Sequence, residues 1–372
     1  MRFIVCDLIT GNVMDEVPLT IGQDLTQMLR GYGEGVLNAP YLDGDGRLYR
    51  SKYWKKMIVP WRSLVLVVDD SERIIWHGIP IRANGGDEFQ TAFPARTCEA
   101  YLLRRYKGTS HHLGVDKAVI FASMIAEANV SGIGMEIDAP LTGDLVERNY
   151  ADSENARIYD RINDLANSGS GFDWTVDVEW ADADHTRVRK IARMRPVMGN
   201  RTANPEHHFT LGGNITSVTW DNSWDDSDAA THVRAIGDGE GESRVMSSPG
   251  IDTVREAAGW PRLEDRRSFS GVKDRSTIEA HMARMKQALF GGQQLVTFTA
   301  RNPRLGERIT GAGDIVLGDT AKVEIRMGQD ALLNEYAVEI ESVWPIIGMA
   351  LSPDMTTWKP TLADVRKADL DG

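Results

Sequence analysis

Two periods of apolar residues divide the chain. Through the first hundred positions apolar side chains come in short runs bounded by turn chemistry. "FIVCDLIT" leads into the turn "GN", "YLDGDGRLY" sets Asp and Gly between aromatic and aliphatic flanks, and "SLVLVVDDSERIIWHGIPIRA" reads as two strands around a polar DDSE turn. "GGDEFQTAFPA" adds another strand. From about Asp116 the period lengthens. "DKAVIFASMIAEANV" predicts a helix with Asp116 as N-cap. "SENARIYDRINDLANSGSG" predicts a second, with Ile158, Ile162 and Leu165 spaced by four and three and Gly169 placed as C-terminal cap. "FDWTVDVEW" and "TRVRKIARMRP" follow as strands. The last third returns to strands ("QQLVTFTARNP", "DTAKVEIRM", "NEYAVEIESVWPII") around one helix, "STIEAHMARMKQALFGG". In that helix Ser276 and Glu279 have capping-box spacing, Ile278, Met282, Met285 and Leu289 share a face, and Gly291 ends the run.

This order predicts an α+β, β-rich fold, with two barrel-like domains and an α/β domain between them. The expected limits are 1–108 for the first barrel, with 205–225 as segments that complete it, 109–204 for the α/β part, 226–350 for the second barrel with its helix, and 351–372 for a loose polar tail.

Composition narrows the function classes. At 372 residues the chain has length for two or three domains, and 42% hydrophobic with 26% charged residues is ordinary for a soluble globular protein. The longest apolar runs fall well short of the roughly 18 residues a membrane span needs. "MRFIVCDLITGNV" has neither the basic start nor the cleavage site of a signal peptide, so synthesis and folding in a cytoplasm are expected. Two cysteines, Cys6 and Cys98, exclude a disulfide framework and a zinc ribbon. A formal charge of -12 disfavours general nucleic-acid binding.

Candidate chemistry is sparse. "PARTCEAYLLRRYKG" places Cys98 among cations, with His111 and His112 just after. A cysteine nucleophile needs a base and a polar, accessible setting, and no nucleophile signature surrounds this one, so a small buried residue at a strand-to-helix junction is the preferred reading. The pairs His111–His112 and His207–His208, the second beside Glu206, lack one-face ligand spacing and read as surface or interface histidines. "DGDG" (43–46) fits a hairpin turn better than a calcium loop, and the acidic run 221–228 fits a solvated loop. Walker A, GxSxG and HExxH are absent, so no cofactor or metal is expected. In "RVRKIARMR" alternation sets Val188, Lys190 and Ala192 against Arg187, Arg189, Ile191, Arg193 and Arg195. That basic face either grips an acidic partner or, the preferred reading, counterbalances acid within the chain.

The order of segments carries a resemblance. "FIVCDLITGNVMDEVPL", "IIWHGIPI" (Trp76, Gly78), "FPARTCEAYLLRRY" (Arg96, Tyr101, Leu102, Arg105), "NARIYDRINDLANSGSGFDWTV", "DDSDAATHVRAIGDGEG" and "PRLGERIT" with "LGDTAKVEI" (Gly318, Asp319) run from residue 2 to about 345. In this order the chain resembles the minor tail or tail-hub proteins of long-tailed phages of actinobacteria, the siphophage Gp37-like group, related in fold to baseplate hubs. The resemblance implies a non-enzymatic homotrimer at the tail tip of the virion. Its paired barrels would form a ring between the tail-tube (distal tail) protein and a tip fibre or spike, around a channel for the tape measure protein and then for DNA, without sequence-specific binding. The marker residues Trp76, Gly78, Arg96, Tyr101, Leu102, Arg105, Gly318 and Asp319 then become candidates for assembly roles. An acidic balance suits a lumen through which DNA slides. Two other classes stand beside it: a cell-wall hydrolase using a carboxylate or Cys98, and a glycan-binding tail component, motivated by ten Trp residues and the β architecture.

Overall fold

The computed structural model describes residues 1–41, 57–85, 90–168, 171–226, 228–239, 241–269, 272, 274–301, 316–330 and 335–362. The DGDG turn at 43–46, the expected cap Gly169 and the marker stretch 303–310 lie outside them. In the first third, strands Val13–Glu16, Arg2–Asp7, Ser63–Val68, Ile74–Pro80, Gln90–Arg96, Glu34–Pro40 and Thr20–Gln23 hydrogen-bond in that order, with Asn84–Gly85 beside Gln90–Arg96. The DDSE turn does join two antiparallel neighbours, Val65 opposite Gly78.

Strand alternation decides what this sheet separates. Phe3, Val5, Val65 and Val67 face a core shared with the last third, among them Phe298, Trp344 and Trp358. Ile4, Cys6, Leu64, Leu66 and Val68 face a second core shared with the middle of the chain, including Phe121, Phe172 and Trp174. A strand buried on both faces has no polar side to present, which accounts for the unbroken apolar run of Ser63–Val68.

Over the second face lie helix α1 (Lys117–Asn129), helix α2 (Ile158–Ala166) and a three-stranded sheet. In that sheet Val188–Arg195 is central, parallel to Met135–Asp138 and antiparallel to Asp173–Trp180. Ser110–Asp116 pairs separately with Leu145–Tyr150. Asp116 caps α1 as expected, accepting from Ala118 N at 2.8 Å. Ile158, Ile162 and Leu165 of α2 are all fully buried.

The last third builds a seven-stranded sheet: His207–Thr210, Thr320–Asp330, Glu335–Leu351, Thr357–Leu362, Gln293–Arg301 and Ile215–Ser223 in order, with Leu25–Met28 added against Glu335–Leu351. Two expectations change here. Strands within 205–225, expected to complete the first β-rich part, pair with Thr320–Asp330 and Gln293–Arg301 instead. Phe209 draws its segment there, its ring 5.1 Å from Phe298 and 5.4 Å from Trp358. The expected loose tail begins as a strand, Thr357–Leu362, which buries Trp358, Pro360 and Leu362 alternately. Among the described residues neither large sheet closes on itself.

A third, smaller core sits apart. His232–Ile236 runs between Gly250–Ile251 and Glu264–Ser268, after the short helix α3 (Thr253–Ala257) comes helix α4 (Arg275–Leu289), and Ile278, Met285 and Leu289 of α4 pack against Val233 and Ala235. The predicted capping box is replaced. Asp274 is the N-cap and accepts from Thr277 N at 2.8 Å, while Glu279 turns outward to accept from Ser248 N at 2.8 Å.

Candidate functional site

The segment 94–108 splices the first sheet to both helices of the middle part. Gln90–Arg96 ends at Thr97, whose hydroxyl accepts from Gly33 N at 2.8 Å, and Cys98–Arg104 then coils as a 3-10 helix. Arg105 Nη2 donates to the carbonyls of Glu127 (3.3 Å) and Val130 (3.0 Å), satisfying the C-terminal end of α1. Lys107 Nζ lies 2.8 Å from Glu127 Oε2, Gly108 N donates to Glu127 Oε1 at 2.6 Å, and Arg105 O receives the first amide of α2, Ile158 N, at 2.8 Å. One short stretch therefore ties two helices to an interior strand of the first sheet.

Beside this splice a cleft of about 650 Å³ opens between the first sheet, the middle sheet and the last sheet. Its walls include Ile74–His77, Glu99, Thr175–Glu179, Arg193, Arg195, Val197–Gly199, Val316 and Met349. Glu99 Oε1 accepts from Thr175 Oγ1 at 2.9 Å and Val176 N at 2.8 Å, while Oε2 has no hydrogen-bond partner among the described residues. Burial pushes the Glu99 carboxyl up to about 7, against the pull of the Thr97 hydroxyl, the Val176 amide and the Thr175 hydroxyl. Across the cleft Arg193 Nε lies 2.6 Å from Asp177, Nη1 lies 2.9 Å from Asp138, and Nη2 meets Glu179. Arg195 Nη2 shares Asp138 at 2.7 Å and Arg189 takes Glu179 at 3.0 Å. The basic strand face is thus met by carboxylates of its own chain, which is the counterbalancing reading. Asp177 keeps a raised carboxyl even so, because desolvation outweighs Arg193.

Cys98 does not make a nucleophile here. Its backbone N donates to His77 Nε2 at 3.3 Å, so the imidazole lone pair is spent on an amide. Burial lowers His77 to about 4 and raises the Cys98 thiol, the reverse of what a thiolate–imidazolium pair requires. The four candidate histidines do not converge. His111 meets Asn149, His112 meets Ser110, His208 meets Pro205 O and His207 Nε2 lies 3.2 Å from Asp319 Oδ2. Among the described residues no group of three or more His, Cys, Asp and Glu is placed to hold a metal ion.

The marker residues are internal fixtures of the subunit. Trp76 is fully buried, its indole Nε1 donating to Thr26 O at 2.9 Å, and a Cβ on Gly78 would stand 2.2 Å from its ring. Arg96 pairs with Glu34 at 2.9 Å and lies 4.9 Å over the Tyr32 ring. Leu102 is fully buried and Tyr101 packs on the same core. Gly318 has φ +99, and a Cβ there would meet Met198 O at 2.2 Å. Asp319 accepts from Asn200 N at 2.7 Å and Val316 N at 2.9 Å. Glu99 and His77 gave no sequence signal: one reads as a helix-surface charge, the other as a strand polar position, and only the third dimension buries them.

No protein-family model matches the chain, and no curated protein matches it. The three layers just described have the fold of phage tail proteins. The 43 kDa tail protein of prophage MuSo2 from Shewanella oneidensis superposes with a TM-score of 0.61 at 12% identity, covering 100% of this chain and 99% of that one. A tail protein from Neisseria meningitidis gives 0.59 at 11% identity, with 100% and 99% covered. Prophage tail protein gp18 from Listeria monocytogenes gives 0.52 at 12% identity, with 99% and 95% covered.

Proposed function

We propose that this protein is a structural hub, or minor tail protein, at the tail tip of a long-tailed phage. Three copies form a ring that joins the tail-tube protein to a tip fibre or spike, around the channel taken by the tape measure and then by DNA. The observation that carries this reading is the end-to-end correspondence in fold with a prophage tail protein, 100% of this chain against 99% of that one. Sheet edges left open among the described residues support it, since unpaired strand edges call for closure against neighbours. In this reading the first sheet and the seven-stranded sheet, the latter including the strands within 205–225, build the ring and 109–204 projects as a platform. Net charge of -12 keeps DNA from adhering as it passes.

Arg96, Arg105 and the other marker residues serve assembly by fixing the subunit's shape. Native mass spectrometry of the purified protein tests this directly. A three-chain species is expected, reduced in yield by Arg105→Glu, which removes the donor that ends α1. A single-chain mass at the highest soluble concentration, with tail-tube and spike proteins present, contradicts the reading.

A further inference from the structure

Residues 224–292 are an insertion at the end of one hairpin. Ile215–Ser223 and Gln293–Arg301 pair antiparallel, and the last pair, Ser223 opposite Gln293, brackets everything between them. The inserted residues build a core of their own: Ala230, Val233, Ala235, Ile278, Met285 and Leu289 are buried together, and none of the six belongs to either larger core. Ala230 N donates to Leu289 O at 3.1 Å, so entry and exit run side by side. Carboxylates of the unit are met from within it, Asp252 by Arg255 at 2.6 Å and Asp265 by Arg267 at 2.9 Å. Toward the middle part, cation faces cation. Burial lowers both His281 on α4 and Lys117 on α1, and Arg284 of the unit and Arg148 of Leu145–Tyr150 push both the same way, opposed at Lys117 by Asp144. Charge does not draw the unit onto the body at this face.

Its position is fixed at the stalk. The chain leaves the unit through Gly291 (φ +117) and Gly292 (φ +73), backbone that favours glycine. A Cβ on Gly292 would stand 2.8 Å from the indole of Trp224, the first side chain after the stalk. Trp224 stacks in turn on Trp260 of the unit, ring centroids 4.3 Å apart, with the Arg255 guanidinium 5.1 Å from the Trp224 ring and 5.7 Å from the Trp260 ring. Trp260 is 41% exposed, so this clasp lies at the surface and can part without opening a core.

We propose that residues 224–292 are a movable arm, hinged at Gly291 and Gly292 and held in its observed position by the clasp of Trp224, Trp260 and Arg255. A unit with its own core moves as a rigid body, and the hinge absorbs the change in backbone angle. The arm goes beyond the hub reading and does not depend on it, because stalk, clasp and arm belong to one chain.

Double electron–electron resonance on the full chain tests the proposal with nitroxides on introduced cysteines, since Cys6 and Cys98 are buried. Val254→Cys with Leu141→Cys spans arm and body, at side chains 77% and 73% exposed. Ile9→Cys with Leu141→Cys reports on the body alone, and Val254→Cys with Gln287→Cys on the arm alone, all at exposed positions. When Trp260→Ala is added, the arm-to-body distance distribution is expected to broaden about twofold, while both internal distributions keep their position and width. An arm-to-body distribution unmoved by Trp260→Ala overturns the proposal. So does an equal change within the arm, because the substitution would then be loosening the arm's own fold and not its hinge.

Discussion

At pH 8 the Glu99 carboxyl must carry its charge where water does not reach. Its folded value of about 7 exceeds the ordinary 4.5, so the folded state holds the proton more tightly than the unfolded chain. The stability this contributes is fully present below the ordinary value and is lost as pH rises through about 7. Glu99→Gln removes the titration while keeping the acceptor. The melting temperature of Glu99→Gln minus that of the wild type is therefore expected to grow between pH 5 and pH 8, and a difference independent of pH contradicts the burial argument. The cysteines behave in the opposite sense to reactive thiols. Cys6 is pushed up to about 12 by burial, and Cys98 is raised further by burial with help from the neighbouring Glu99. A chromogenic disulfide reagent at pH 8 should titrate no thiol in the native protein and both after denaturation. Rapid native labelling of Cys98 would reopen the nucleophile reading.

Among elements, the strand Ile74–Pro80 depends on a missing side chain. Trp76 and Gly78 share a face, and the indole fills the space a Cβ on Gly78 would occupy, with Ala95 Cβ 3.1 Å from the same point. Gly78→Ala is expected to cost about 1–3 kcal/mol through overpacking, measured by denaturant unfolding. An unchanged midpoint would mean that the indole has room to move. Helices α1 and α2 were legible because their apolar spacing and the Asp116 cap are local signals. The start of α4 was misread because Asp274, Ser276 and Glu279 all fit capping chemistry, and a sequence does not say which carboxylate finds a better donor elsewhere. Glu279 found Ser248. Thr357–Leu362 was hidden for another reason: Thr, Lys and Pro conceal an alternation that becomes visible only when Trp358 and Leu362 are seen in the core.

Over the whole molecule, a β-rich chain with few helices was readable from the period of apolar residues, while the resemblance rested on the order of six segments along the sequence. Partner choice was not. Phe209 and Leu25 each leave their neighbours in sequence to join the seven-stranded sheet, a decision made by core volume across more than a hundred residues of chain rather than by local pattern. The same limit hid the cleft, whose walls come from segments as distant as Gln27 and Met349. A sheet covered on both faces, as Ser63–Val68 is, gives the chain a buried middle layer between its two larger cores. The central claim is that three such subunits close around the channel at the tail tip. Cryo-electron microscopy of intact tails tests it most directly. The account predicts density for three copies of this chain around the axis, between tube and spike, whereas tips that lack the chain, or carry one copy off the axis, would contradict it.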